Sequence, residues 1–272
     1  MDEKRGIVQI TTADERWYVR ESTNSETGLP EMRFVPSVTW IAGFYPKGIG
    51  FYKWLADKGW DEAEAIKSAA GDKGSKVHQT IVDLLDEINP QIKEEEKKRI
   101  KIDSQYLNPT TGQMEELTLG EWECIISFVQ WFKESKPEVI HREIVIWNED
   151  YGYAGTIDFV AKINNQLWII DFKTGQNIWA EHELQISAYK HAYPTEEPVK
   201  LGLLQLGYQR NKNAYKFTEI EDKFNLFLAT RSIWENATAG NKPLQKDFPL
   251  MLSLAEPEKP EEVKENKTKG KK

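Results

Sequence analysis

Asp158, Asp171 and Lys173 have the types and spacing for phosphate chemistry. They lie within Tyr151–Tyr189, YGYAGTIDFVAKINNQLWIIDFKTGQNIWAEHELQISAY. Hydrolysis of a phosphodiester needs a cation to polarise the phosphate and activate water, and a hard ion such as Mg²⁺ takes carboxylate oxygens. A lysine beside the carboxylates can hold the attacking water or offset charge on the phosphate. The same three residues also fit an exposed hairpin face with an Asp–Lys pair, which contributes little.

The elements that must position them can be read from pattern. Two apolar, β-branched runs flank Asn164-Asn165, a pair that tolerates positive φ, so the stretch reads as a hairpin. With Asn164-Asn165 as the turn, Asp158 stands directly opposite Asp171, about 4.5–5.5 Å away at Cβ. Like charges so placed are destabilising unless a divalent cation compensates them. Lys173, two residues beyond Asp171, projects on the same face. Glu138–Trp147 (EVIHREIVIW) is an expected strand before the hairpin, and Ile178–Tyr193 an expected helix after it, closed by Pro194. Gln185 and Tyr189, four apart, share a face of that helix.

Upstream, residues 6–20 read as two short strands and 22–30 as a loop. Ser37 is a helix N-cap after Pro36, and Phe51–Lys58 a short helix stopped by Gly59. Asp61–Ser68 is helical by composition and is expected to be interrupted by Gly71 and Gly74. Lys73–Ile88 then carries Val77, Ile81, Leu84, Leu85 and Ile88 at helical spacing, with His78 beside the stripe near the helix start. Residues 90–116 read as a helical fragment and an exposed loop. Leu119–Ser135 is an amphipathic helix with Trp122, Ile125, Ile126, Val129 and Phe132 on one side. Pro198–Gln209 and Ala214–Thr218 are expected strands, and Glu219–Ala237 a last helix. The order predicts an α/β domain, a mixed central sheet flanked by helices. The expected organisation is an N-terminal β-hairpin extension over 1–33, the α/β domain over 34–254, and a disordered charged tail over 255–272.

Composition removes several alternatives. The 272 residues are 39% hydrophobic, with 10 Trp, 10 Tyr and 11 Phe, enough for a sizeable core. A mean hydropathy of -0.62 and no long apolar run argue against a membrane span. The N-terminus lacks a signal-peptide core. The single cysteine, Cys124, permits no internal disulfide and no cysteine-based metal or iron–sulfur site, and fits a reducing, cytoplasmic setting. A formal net charge of -8 weighs against coating nucleic acid by charge alone. No Gly-x-x-x-x-Gly-Lys-Ser/Thr occurs, so this chain carries no ATP motor. None of His78, His141, His182 and His191 sits in a nucleophile motif.

Four motifs in order, Gly74-x-x-x-His78, Gly155-x-x-Asp158, Asp171-x-Lys173 and Gln185-x-x-x-Tyr189, resemble the PD-(D/E)XK nuclease superfamily. The similarity is to its RecB-like branch of recombination exonucleases, over roughly residues 34–238. The resemblance implies a restriction-endonuclease-like core and a Mg²⁺- or Mn²⁺-dependent DNA nuclease, an exonuclease of recombination or repair. It implies that Asp158, Asp171, His78 and the carbonyl of Phe172 ligate the metal and that Lys173 is catalytic, with Glu143 a candidate third acid. Histidine among the ligands tilts the site toward Mn²⁺. Gln185 and Tyr189 would contact DNA phosphate or support Lys173; the other reading is a helix face resting on the sheet. DNA is the implied partner, with a single-strand annealing protein beside it. The alternatives are an inactive nucleic-acid-binding or scaffold protein on the same fold and a structure-specific endonuclease. Val199–Thr218, with Lys200, Arg210, Lys212 and Lys216 and no acid, is either a nucleic-acid track using Tyr208, Tyr215 and Phe217 for stacking or a hairpin with a solvated turn. Trp179 would stack on a base or join the core.

Overall fold

In the computed structural model, residues 6–11, 15–23, 30–88, 105–107 and 112–238 are described. Strands β1 (Val8–Thr11), β2 (Arg16–Thr23) and β3 (Pro30–Pro36) form an antiparallel three-stranded sheet. Helices α1 (Val38–Gly43), α2 (Ile49–Lys58) and α3 (Trp60–Glu87) come next, then a two-stranded ribbon of β4 (Gln105–Leu107) and β5 (Met114–Glu116). Helix α4 (Leu119–Ser135) leads into the meander β6 (Glu138–Asn148), β7 (Tyr153–Ile163) and β8 (Gln166–Lys173). Helix α5 (Ala180–Lys190) crosses to β9 (Val199–Leu206), which turns into β10 (Tyr215–Ile220) before α6 (Phe224–Ala237). The main sheet has the order β10-β9-β8-β7-β6. Within it only β8 and β9 pair in parallel, because a helix returns the chain between them. The predicted mixed sheet flanked by helices is the fold observed.

Alternation along the strands divides the core in two. Leu167 and Ile169 of β8 and Leu201 and Leu203 of β9 point to the face covered by α1, α5 and α6. Trp168, Ile170 and Phe172 point the other way, against α3 and α4. There Phe128, Trp131 and Phe159 are buried and their rings interlock. Burying each such side chain contributes about 1.5–3 kcal/mol. Asp171 and Lys173 continue the alternation of Leu167 and Ile169, so they fall on the α5 side at the end of β8.

Ser37 caps α1 as expected, its hydroxyl accepting from the Trp40 amide at 3.0 Å. Gly59, with φ 76, ends α2. Four expectations are corrected. Helix α3 runs unbroken through Gly71 and Gly74, which places His78 well inside it rather than near its start. A glycine costs a helix only about 1 kcal/mol, less than nucleating a new one. The buried face of α4 is Trp122, Ile125, Phe128 and Trp131; Ile126 is 58% exposed. Part of the segment read as an exposed loop pairs as β4 and β5. Glu219 and Ile220 belong to β10, with Asp222 receiving the Phe224 amide at the start of α6. Strand β3 ends at Pro36, and Ser37 then caps α1. The helical fragment expected after residue 90 and the charged tail from 255 lie outside the described residues. Among the described residues no helix is long and apolar enough to cross a membrane.

Candidate active site

The Asn164-Asn165 turn forms as read from the sequence. Both residues are left-handed, with φ 51 and 62, as a two-residue type I′ turn requires. The register it sets runs from Ile163↔Gln166 to Phe159↔Ile170. The next step would pair Asp158 with Asp171, and there the observed ladder stops. This corrects the expected direct pairing. The Asp158 carboxylate instead accepts the Phe172 amide at 2.8 Å, and β8 continues beside β9 with Asp171 opposite Leu203. Parting the strands at this level relieves the repulsion that facing carboxylates would suffer.

The neighbouring strand adds a third acid. Between Arg142↔Phe159 and Ile144↔Ile157, the register sets Glu143 opposite Asp158. Glu143 has φ 47, a left-handed conformation that costs a non-glycine residue roughly 1–2 kcal/mol and interrupts the ladder. Glu143, Asp158 and Asp171 therefore form one row across β6, β7 and β8.

His78 reaches this row from α3. Its Nε2 lies 3.2 Å from the Phe172 carbonyl oxygen and its Nδ1 3.5 Å from Asp158 Oδ1. The ring also packs edge-on against Phe172. An ion pair between Asp86 and Arg142 fastens the end of α3 to β6. Ligand atoms of His78, Glu143 and Asp158 all lie within 4.8 Å of one another. Asp171 stands apart from that trio: its carboxylate is paired with the Lys173 ammonium at 2.7 Å.

The site is a concentration of buried negative charge. Burial raises Glu143, and Asp158 and Asp171 push it further, to about 7. Burial likewise lifts Asp171 to about 6, with Lys173 opposing and Asp158 reinforcing the rise. Asp158 is held below the usual carboxylate range, because His78, Lys173 and the Phe172 amide outweigh its burial. Burial works against protonating His78, yet Asp158 beside it, with Glu143 and Asp171 behind, lifts it to about 9. The imidazolium and the ammonium thus supply the positive charge that the carboxylate row demands. The donor set fits a divalent cation, since several carboxylate oxygens, an imidazole and a backbone carbonyl converge on a region that attracts positive charge.

Lys173 is held from behind. Its ammonium donates to Gln185 Oε1 at 3.2 Å, and Gln185 Nε2 donates to the Tyr189 hydroxyl at 2.8 Å. Gln185 and Tyr189 are buried, which fits support of Lys173 and leaves them little surface for a phosphate. Gly155 belongs to the same assembly. A Cβ added there would stand 2.7 Å from Tyr189 Cε1 and 3.4 Å from a Val38 methyl. Gly155→Ala is therefore expected to cost about 1–3 kcal/mol through overpacking. Chemical denaturation would read this as a lower midpoint at unchanged slope, and an unchanged midpoint would refute the close contact.

Two features escape a reading of the sequence. Tyr18, from the N-terminal sheet, places its hydroxyl 2.9 Å from Thr156 Oγ1, two residues before Asp158; only alternation along β7 hints at Thr156. Buried Gln205 donates to the Gly175 carbonyl, and Gln176 joins Gly207 and Gln209, fixing the loop after Lys173. Of the two readings of 199–218, the hairpin forms and the stacking track lacks its rings. Tyr208 is buried, Phe217 packs on Trp131 and Trp168, and the Tyr215 hydroxyl is bound to Glu134. Trp179 is not in the core; it is 56% exposed.

A carboxylate row at the end of a mixed sheet, with a lysine beside it and a histidine above it, is a donor set suited to metal-dependent phosphodiester chemistry. The family model of the PD-(D/E)XK nuclease superfamily matches residues 51–256, and the chain belongs to that superfamily. No curated protein sequence matches it. Nucleases of this superfamily use divalent metals, typically Mg²⁺ or Mn²⁺, and one acting here would act on DNA.

Proposed function

We propose that the chain is a DNA exonuclease of the RecB-like branch, acting in recombination or repair. The observation that carries the nuclease chemistry is the row Glu143, Asp158 and Asp171 with His78 and Lys173 at its rim. Asp158, Asp171, Glu143, His78 and the Phe172 carbonyl would hold Mg²⁺ or Mn²⁺. When bound there, such a cation would offset phosphate charge and lower the pKa of water. Lys173 donates to the phosphate or to the attacking water from a position that Gln185 and Tyr189 preorganise. Asp158 keeps the Phe172 carbonyl in place through its bond to the amide of the same residue. Burial of Asp171 and Asp158 keeps bulk water from screening these charges. A single-strand annealing protein is the partner that such an enzyme would serve.

The exonuclease assignment is tested by incubating the purified protein with end-labelled linear DNA and covalently closed circular DNA, with Mn²⁺ and with EDTA. The expected result is progressive loss of the linear substrate, intact circles and no reaction in EDTA. Cleavage of circles overturns the exonuclease reading, and metal-independent cleavage overturns the site assignment.

A further inference from the structure

The end of β8, which carries Asp171, Phe172 and Lys173, is paired on one edge only. Strand β7 leaves it after Phe159↔Ile170. Beyond that level β9 is its ladder partner, and that ladder ends at Lys173↔Gln205. On the β7 side a bond from the Phe172 amide to the Asp158 carboxylate stands in for the lost pairing. Strand ends held on one edge fray, yet the Lys173 ammonium keeps its place 2.7 Å from Asp171. Among the described residues, 175–178 make no backbone-to-backbone hydrogen bond, so the hydrogen bonds that hold this loop come from side chains.

Two glutamines continue the pairing where the ladder ends. Gln205 is 1% exposed, and its Nε2 donates to the Gly175 carbonyl at 3.0 Å, two residues past Lys173. Gln176 reaches back the other way. Its Nε2 donates to the Gly207 carbonyl at 2.8 Å, and its Oε1 accepts the Gln209 amide at 2.9 Å. One donor and one acceptor meeting residues two apart is what a peptide unit offers in a parallel ladder. The receiving segment is itself anchored. The Gly207 amide donates to Ser127 Oγ at 3.0 Å, and Cys124 Sγ donates to the Leu206 carbonyl at 3.5 Å. A Cβ at Gly207 would stand 2.8 Å from Cys124 Sγ, so this close approach needs glycine. The tie therefore ends on α4, a helix that places no residue in the carboxylate row.

We propose that Gln176 and Gln205 are positioning residues for Lys173, an amide clamp that ties the loop after it to β9 and, through β9, to α4. The inference rests on the nuclease reading and deepens it by adding residues that act on the reaction without touching metal or substrate. Gln185 and Tyr189 orient the ammonium from its tip. The clamp fixes the backbone from which that side chain starts. Both ends are needed, since a misplacement of about 1 Å can cost 10²-fold in rate. Polar side chains suit this place because β7 has parted from β8 and no third strand supplies the missing bonds.

The test follows cleavage of end-labelled linear DNA with Mn²⁺ by the full chain, by Gln176→Ala and by Gln205→Met, which keeps most of the volume and removes the amide. Each substitution is expected to lower kcat about tenfold or more, with KM and Mn²⁺ affinity within about twofold of the parent. Folded variants with parent-like kcat overturn the proposal, whatever their melting temperature. The deciding comparison uses the Lys173→Ala background. There either glutamine substitution is expected to change kcat by less than about twofold, because the clamp has no ammonium left to position. A second loss of about tenfold in that background overturns action through Lys173. Hydrogen exchange of the metal-free protein gives a readout besides activity. Peptides covering 172–178 are expected to exchange about tenfold faster in Gln176→Ala, with β7 unchanged, and parent-like exchange overturns the clamp. Gln176 is only partly buried, so its variant decides the matter if Gln205→Met fails to fold. Failure of the nuclease reading is distinguishable: the parent would then cleave no DNA with Mn²⁺ while the exchange difference persisted.

Discussion

Replacing Lys173 with alanine is expected to leave a folded protein whose metal-dependent DNA cleavage is lower by about 10²–10³-fold or more. The ammonium stands 2.7 Å from buried Asp171 and 3.2 Å from Gln185, so it is already oriented before substrate arrives. Its loss removes stabilisation needed most in the transition state, and the effect should fall on kcat more than on KM. Asp171 tolerates the change because it can take up a proton, its pKa being already near 6. Asp158→Asn should be equally inactive for a different reason. Asp158 is the carboxylate that touches both His78 and the Phe172 amide, so its neutral replacement should also weaken Mn²⁺ binding. Isothermal titration separates the two: Lys173→Ala keeps Mn²⁺ affinity and Asp158→Asn loses it. Parent-like digestion by either variant would sink the assignment of this site.

The second large effect is on pH. Without metal, Asp171 and Glu143 hold protons up to about 6 and about 7, above their ordinary carboxylate values. The folded state therefore binds protons more firmly than the unfolded chain at these groups. The stability they contribute is complete below their unfolded pKa of about 4 and is lost as pH rises through 6 and 7. His78, raised to about 9, adds stability that is complete below its unfolded value and lost as pH climbs through 9. Asp158, which is lowered, acts in the opposite sense and only in acid. The metal-free melting temperature should thus fall from about pH 5 to 9, each raised carboxylate accounting for a loss on the order of 3 kcal/mol. Mn²⁺ should tighten over the same window, releasing protons from His78 and Glu143 as it binds, and should flatten the decline. Titration in two buffers of different ionisation enthalpy counts those protons. A melting temperature indifferent to pH, or binding without proton release, would contradict the charge arrangement.

The β7–β8 hairpin was legible in the sequence because an Asn-Asn pair between β-branched runs has few conformations open to it. Its register then runs residue by residue to Phe159↔Ile170. The split one step later was not legible, since it depends on an Asp158 side chain displacing a ladder bond. Gln185 and Tyr189 were readable as one helix face, and their helix does support Lys173. Placing Glu143 by residue logic needed the β6–β7 register, which a turn through Gly152 at φ 59 sets. The unbroken α3 was hidden by two glycines, whose local penalty is outweighed by helix cooperativity. Val199–Thr218 stayed open between two readings because aromatic residues beside basic ones look alike whether the rings face solvent or, as Phe217 does, fill the gap over Gly202.

The row of three acids makes the sheet a ruler. Paired strands stand about 4.8 Å apart, and β8 has parted from β7 at this level, so the backbones of Glu143 and Asp171 are separated by roughly 9.5 Å or more across β7. That span exceeds what one small ion can bridge between two short side chains. The acid on the outermost of the three strands is the longer glutamate, and its backbone is turned left-handed in mid-strand. Length and twist together bring its carboxylate inward to Asp158 and His78. The spacing of the candidate centre is thus inherited from the hydrogen-bonding pitch of a β-sheet, and the choice of Glu over Asp at position 143 corrects for that pitch.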